Sequence, residues 1–353
     1  SKYDIVICDY NLGSGQNGQQ TLEEAKLRNL IGVSTIWVMV TAEKTHDMVM
    51  GAAEVKPDDY LLKPINQVLL ESRLEKLIAR KLSLKAIEAA IKAKNYPDAI
   101  VQCDLQLAAK ALNPQEVLRI KSDLLLTMGD YEAATALFGS VLAVRSVPWA
   151  KTGLGKIDFH TKKYASAQEL FRQVVTENPM YLEATDWLAK TCMALGDTVQ
   201  AQQVLLDAVK VSPNSPTRQK SLGDAAYRNG ALDVAQAAFE KTIRISEFSP
   251  HKNAAVYAGL AKVFSEQDAP LEALKVLTQS KREFKHNPEA AIQTAAAESV
   301  VYHRMGDPVK AEAAMTEAER VVEKQGGKLS AEVAIELAQS LFKLGKKDKA
   351  CAL

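Results

Sequence analysis

The sequence predicts two architectures in tandem, a short α/β segment on a parallel sheet followed by an all-α solenoid of repeated helix pairs. Three observations predict it. Near-continuous apolar runs, Ile5-Val6-Ile7-Cys8 and Ile36-Trp37-Val38-Met39-Val40, alternate with helical stretches in the first 64 residues. From about Leu82 onward the strand signal vanishes. The chain then aligns on itself with a period near 34.

In chain order, Tyr3 to Cys8 reads as a buried strand and Gln19 to Asn29 as an amphipathic helix. Thr35 to Val40 is a second buried strand, Thr45 to Val55 a second helix, and Tyr60-Leu61-Leu62 a short third strand. A helix is expected from Asn66 to Ala79, with Val68, Leu69, Leu74, Leu77 and Ile78 as its apolar stripe. Only Arg80-Lys81-Leu82-Ser83 separates it from the first repeat helix, so a nearly straight, stiff junction is expected. The domains are therefore drawn at 1–81 and 82–353.

The repeat frame is a turn glycine, a small alanine and a large apolar residue four positions on. Gly129-Asp130-Tyr131 precedes Ala134 and Phe138; Gly196-Asp197 precedes Ala201 and Leu205; Gly230 precedes Ala235 and Phe239; Gly306-Asp307 precedes Ala311 and Met315. Lys162-Lys163-Tyr164 with Ala167 and Phe171 keeps the frame without its glycine, as does Asn95-Tyr96 with Ala99. Asp268 with Ala273 and Leu277 fits more loosely, and Gly345 with Ala350 starts a last copy. Glycine supplies the left-handed turn, and alanine lets antiparallel helices approach. The prolines at 114, 148, 179, 213, 250 and 288 are expected to close each second helix. One pair cannot bury its own apolar face, so pairs must stack. The frame, with the Leu154-Gly155 and Leu222-Gly223 steps in first helices, resembles the tetratricopeptide repeat family over residues 82–353, about seven to eight copies. The resemblance implies a surface for a protein partner. No regular Lys/Asn/Arg pattern for a peptide carboxylate is present, so no peptide contacts are assigned.

Gly13-x-Gly15-x-x-Gly18 has the spacing of a dinucleotide-binding loop, but its context fails. Asp9-Tyr10-Asn11-Leu12 intervene after the strand, and the next strand ends in Thr41 where the ribose-binding carboxylate belongs. A different set meets its demands in order. The strands end at Asp9, at Thr41-Ala42, and at Tyr60 followed by Lys63-Pro64. In a parallel sheet those ends share one edge. A carboxylate, a hydroxyl and an ammonium there suit phosphoryl transfer to the carboxylate.

That set resembles the receiver domain of two-component response regulators, a flavodoxin-like fold. The resemblance implies Asp9 as phospho-acceptor, Thr41 as switch hydroxyl, Tyr60 as switch aromatic and Lys63 as phosphate contact. It also implies a cis Lys63-Pro64 bond, and Asn17-Gly18 as the opening of the next helix. Mg²⁺ would be held by Asp9 and the Asn11 backbone carbonyl, with an acidic pair expected upstream. The match starts at what would be the family's third strand, so the chain is expected to be a piece of a longer protein and to phosphorylate poorly as it stands. Val55-Lys56-Pro57-Asp58 are extra residues relative to that pattern.

The remaining features are read as structural. Four scattered cysteines, Cys8, Cys103, Cys192 and Cys351, are expected reduced and buried. His46, His160, His251, His286 and His303 form no metal-ligand spacing. Gly153-Leu154-Gly155-Lys156 lacks phosphate-loop spacing. Trp149 and Trp187 are assigned to packing, and Lys162-Lys163 and Lys346-Lys347 to solvated turns. With a net charge of +1 and no long apolar run, neither nucleic acid nor a membrane is expected as partner. The leading expectation is a cytoplasmic bacterial response regulator without enzymatic output, served by a sensor histidine kinase or phosphotransfer protein. The alternative is a constitutive scaffold that uses its sheet segment for docking or for a homodimer through the open first strand. A dinucleotide-binding enzyme is third.

Overall fold

The computed structural model describes residues 3–42, 51, 54–110 and 112–352. Three strands, β1 (Ile5–Asp9), β2 (Ile36–Thr41) and β3 (Asp59–Leu62), form a parallel sheet in the order β1-β2-β3. Ile5 pairs with Ile36 and Asp9 with Val40; Val38 pairs with Asp59 and Thr41 with Leu62. Helix α1 (Gly18–Leu27) covers one face through Leu22 and Ala25 against Cys8, Trp37 and Met39. Asn17 opens it with a reciprocal cap to Gln20. The expected helix over 45–55 lies outside the described residues except Gly51, Glu54 and Val55, which are helical.

Helix α2 (Gln67–Leu82) covers the other face and runs three residues beyond its expected end. Its buried stripe differs from the expected one. Leu70, Leu74 and Leu77 meet Ile36, Val38, Val40 and Leu61, whereas Val68, Leu69 and Ile78 are exposed. The spacing i, i+4, i+7 is a single helical stripe, and it continues to the buried Lys81. Ser83 and Leu84 follow in helical conformation before α3 (Lys85–Lys92) begins, so the junction is short. Lys81 Nζ lies 2.8 Å from Asp58 Oδ1, 3.0 Å from Glu116 Oε1 and 2.9 Å from the Val33 carbonyl. Arg80 reaches the same two carboxylates. Glu88 on α3, also buried, accepts from the Ser34 N–H at 2.6 Å and from Lys92.

The remaining helices come in pairs. Helix α3 pairs with α4 (Tyr96–Ala108), α5 (Pro114–Met128) with α6 (Tyr131–Val144), α7 (Pro148–His160) with α8 (Tyr164–Glu177), and α9 (Leu182–Ala194) with α10 (Thr198–Val211). Then α11 (Pro216–Arg228) pairs with α12 (Leu232–Ile245), α13 (Ala254–Glu266) with α14 (Pro270–Glu283), α15 (Pro288–Arg304) with α16 (Pro308–Lys324), and α17 (Ala331–Lys343) with α18 (Lys347–Cys351). The chain falls into two compact units, Ser1–Asn214 with Phe248–Pro250, and Ser215–Glu247 with His251–Leu353. The first contains the sheet and four helix pairs; the second contains the other four.

Every pair turns through a left-handed residue. Gly129, Gly196, Gly230, Gly306 and Gly345 have φ of 73° to 79°, and Lys94, Lys162 and Asp268 take the same conformation at 56° to 62° in the copies without glycine. The frame alanines 99, 134, 167, 201, 235, 273 and 311 are all buried, as are Cys103, Phe138, Phe171, Leu205, Phe239, Leu277 and Met315 four residues on.

The first helix supplies a partner position sixteen residues before each large residue. It holds Ile87, Ser122, Gly155, Ala189, Gly223, Ala261 and Ser299, all buried. Small residues stand opposite Phe, Leu and Met, and the one large residue, Ile87, stands opposite Cys103. A Cβ on Gly223 would lie 2.5 Å from the Phe239 ring, and one on Gly153 2.2 Å from Phe138. The glycines of Gly153-Leu154-Gly155 are therefore helix-packing residues.

Only Pro179 and Pro213 close second helices as expected, each standing directly after the C-cap residue, Asn178 or Ser212. Pro114, Pro148 and Pro288 instead open first helices, where a missing N–H costs nothing, and Pro250 lies in the connection between two pairs. Cys8, Cys103 and Cys192 are buried free thiols, but Cys351 is exposed.

Candidate functional site

Two kinds of surface gather chemistry. At the sheet edge, β1 ends in Asp9, β2 in Thr41, and β3 is followed by Lys63. Lys63 Nζ donates to Asp9 Oδ2, and the Asn11 N–H donates to Asp9 Oδ1 at 3.1 Å. The hydrogen bond from Lys63, helped by that from Asn11, lowers the Asp9 pKa below the usual carboxylate range. Thr41 is buried, and its carbonyl accepts from the Lys63 N–H at 2.8 Å. Tyr60 packs on the α1 side of the sheet with Trp37 and Met39. The Lys63-Pro64 bond is cis. Asp9, Asn11 and Lys63 thus meet directly, Thr41 adjoins Lys63 through the backbone, and Tyr60 lies on the α1 face of the sheet.

The three glycines after Asp9 divide into two roles. Gly13 and Gly15 take φ of 90° and 111° in open space, which is turn geometry. Gly18 is steric: a Cβ there would stand 2.3 Å from the Asp9 carbonyl oxygen. Gly18 N–H bonds the Tyr10 carbonyl at 2.8 Å. Asp9 and the Asn11 carbonyl do not by themselves fit Mg²⁺, which takes six oxygen ligands. Among the described residues no three His, Cys, Asp or Glu side chains come together as a metal set.

The second kind of surface is built by first helices. In the first unit, Glu183 on α9 accepts from Lys156 Nζ at 2.6 Å and from the Tyr181 hydroxyl at 3.0 Å, and Lys56 Nζ lies 3.3 Å away. Burial works to raise the Glu183 pKa, but the charges of Lys156 and Lys56 and the two hydrogen bonds outweigh it and hold it at about 2. Trp187, one turn on, stacks on Phe171 and carries Lys190 Nζ 4.4 Å and Lys156 Nζ 5.5 Å over its ring. Trp187 is half-buried, so it belongs partly to this face, whereas Trp149 is buried against Phe138 as expected.

In the second unit, α11, α13 and α17 enclose a cavity of about 640 Å³. Tyr227, Phe239, Ile335 and Phe342 line it with apolar surface. Lys220 bridges Asp224 at 3.0 Å and Glu332 at 3.1 Å, and Gln293 donates to Glu336 at 2.8 Å. Burial tends to lower the Lys220 pKa, but Asp224 and Glu332 more than offset it and raise it.

Residues 158–223 match the family model for the tetratricopeptide repeat. Residues 158–223 are thus a tetratricopeptide repeat (TPR) segment within the helical region. Cellulose synthase operon protein C of Xanthomonas axonopodis pv. citri is 30% identical over 175 residues, which are 47% of this chain and 11% of that protein. The chain thus spans about a ninth of that relative's length. Among solved structures, a TPR repeat-containing protein of Cytophaga hutchinsonii is 17% identical with a TM-score of 0.49, over 71% of this chain and 98% of that one. A tetratricopeptide repeat protein of Parabacteroides merdae is 12% identical with a TM-score of 0.49, over 74% and 99%. PilF of Pseudomonas aeruginosa is 15% identical with a TM-score of 0.47, over 60% and 95%.

The sequence reading missed the TPR faces, yet a signal was present. The residue just after the small one in successive first helices is Asp123, Lys156, Lys190, Asp224 and Lys262. A charge recurring beside a buried small residue marks the rim of the face those helices present. Among the described residues no helix is long and apolar enough to cross a membrane.

Proposed function

We propose that the chain is a protein-binding TPR scaffold whose first helices receive a segment of another protein. The observation that supports this most is the second unit's cavity, apolar through Tyr227, Ile335 and Phe342 and edged by Lys220, Glu332 and Lys343. Ile335 and Phe342 are more than half exposed although they sit on first-helix surface. A pocket with apolar walls and a few placed charges suits a peptide with an apolar anchor. The test compares proteins retained by the full chain and by its Phe342→Glu variant. Loss of specific partners with an unchanged thermal melt supports the reading; an identical retained set overturns it.

A second reading, an aspartate-phosphorylated response regulator, is favoured by the Asp9–Lys63 contact at the edge that also holds Thr41. An Asp9 oxygen would attack a donor's phosphorus, forming an acyl phosphate as the donor's leaving group departs, an imidazole nitrogen from a phosphohistidine or a carboxylate oxygen from acetyl phosphate. Lys63 would offset the added charge, and Thr41 would donate a hydrogen bond to it. A histidine kinase or phosphotransfer protein would then be the donor, and Mg²⁺ would need ligands beyond those in this chain. On a longer form of the protein that carries the expected upstream acidic pair, incubation with acetyl phosphate in Mg²⁺ buffer should add one phosphoryl mass to the wild type and none to Asp9→Asn. Equal mass in both removes this reading and leaves the scaffold untouched.

A further inference from the structure

Lys56 lies 127 residues from Glu183 in sequence, yet its ammonium stands 3.3 Å from the carboxylate on the first-helix face of the first unit. Its backbone is unusual for a non-glycine residue, with φ of 53°. Lys26 Nζ donates to the carbonyls of both Val55 and Lys56, which fixes the turn that presents it. Glu183 does not need Lys56 for its own satisfaction, because Lys156 and Tyr181 already bind it. The contact is also weak by its nature. The Lys56 side chain is 57% exposed, and exposed ion pairs contribute little.

We propose that the Glu183 site takes one lysine or arginine of a partner protein, and that Lys56 occupies it in cis until that partner displaces it. The inference rests on the scaffold reading and names the chemistry of one of its faces. A single cation on an otherwise neutral or acidic segment fits better than a basic tract, because Lys156 and Lys190 flank the site. Asp123 and Arg119, from the first helix that precedes the one carrying Lys156, add one charge of each sign within electrostatic reach. Trp187, one turn beyond Glu183, offers a ring edge for the stem of the incoming side chain. Lys56 itself has this character, since Glu54, Asp58 and Asp59 surround it in sequence. The cis copy works through local concentration: a tether of this kind supplies a millimolar competitor without any strong contact.

The probe is a fluorescent decapeptide copied from residues 51–60, which holds one lysine, together with its acetyl-lysine form. Affinities are measured by anisotropy into the millimolar range on the full chain and on Lys56→Ala. Lys56→Ala should bind the lysine peptide about three- to tenfold more tightly than the wild type does. Acetylation of the peptide, or Glu183→Gln in the Lys56→Ala background, should abolish that gain. Equal affinity for wild type and Lys56→Ala, equal affinity for the two peptides, or no binding to Lys56→Ala overturns the proposal. The acetyl-lysine arm needs no folded variant. Partner retention that depends on Phe342 would stand regardless, so loss of the cis occupant and loss of the scaffold reading are separate results.

Discussion

Gly155 and Phe171 are matched across one helix pair: a Cβ on Gly155 would stand 2.5 Å from the Phe171 ring. Phe171 is fully buried, so the ring has nowhere to retreat. Gly155→Ala should destabilise the first unit by about 1–3 kcal/mol through overpacking. Adding Phe171→Leu should cost less than the sum of the two single changes. Urea melts of the four proteins in the cycle measure the coupling, and strict additivity would remove the steric account.

Lys162 holds the left-handed turn that glycine holds in five other copies. A side chain in that conformation costs about 1–2 kcal/mol, and glycine returns about 0.5–1 kcal/mol of that through its freer unfolded chain. Lys162→Gly should therefore raise stability by up to about 1 kcal/mol. A lower melting temperature would show that Lys162 makes a contact worth more than its strain.

Lys81 is the shared partner of Asp58, Glu116 and the Val33 carbonyl at the junction between the sheet and the first helix pairs. Lys81→Met should cost about 2–4 kcal/mol, since it strands partly buried carboxylates. The low end is expected, because Arg80 still reaches both. Amide exchange should quicken on both sides of the junction, in β2 and in α5. Faster exchange in only one of them would argue that the residue does not tie the two together.

The Glu183 pKa of about 2 gives a pH dependence with a definite sign. A carboxylate depressed in the folded state contributes stability above its unfolded value, near 4.5, and loses it as pH falls toward 2. Glu183 is about a third exposed, so solvent screening reduces the effect to about 1–2 kcal/mol. Glu183→Gln should flatten that part of the acid limb while leaving stability between pH 6 and pH 8 parallel to the wild type, about. An unchanged acid limb would place the acid-sensitive group elsewhere.

Much of the helical architecture was legible because its rules are local. The alanine frame, the turn residue and the large residue four positions on are set within one pair. The stripe of α2 was harder: Leu74 and Leu77 were expected in it, but Val68, Leu69 and Ile78 are also apolar, and only the sheet decides that Leu70 faces inward in their place. Pro114, Pro148 and Pro288 were misplaced because a proline between two helices can end one or begin the next. At the sheet edge, Asp9, Thr41 and Lys63 could be grouped from strand order alone, since parallel strands end together. Nothing local could pair Lys56 with Glu183, because their meeting depends on where an entire helix pair stands.

The matched positions of each first and second helix also constrain how such a chain can be reshuffled. A crossover that joins the first helix of one copy to the second helix of another would combine Ile87 with a phenylalanine, or Gly155 with a leucine. One hybrid would collide and the other would leave a void. Exchange that moves whole pairs preserves the match within each copy. The inheritable module is therefore the pair, and breakpoints between pairs should be tolerated where breakpoints inside them are purged.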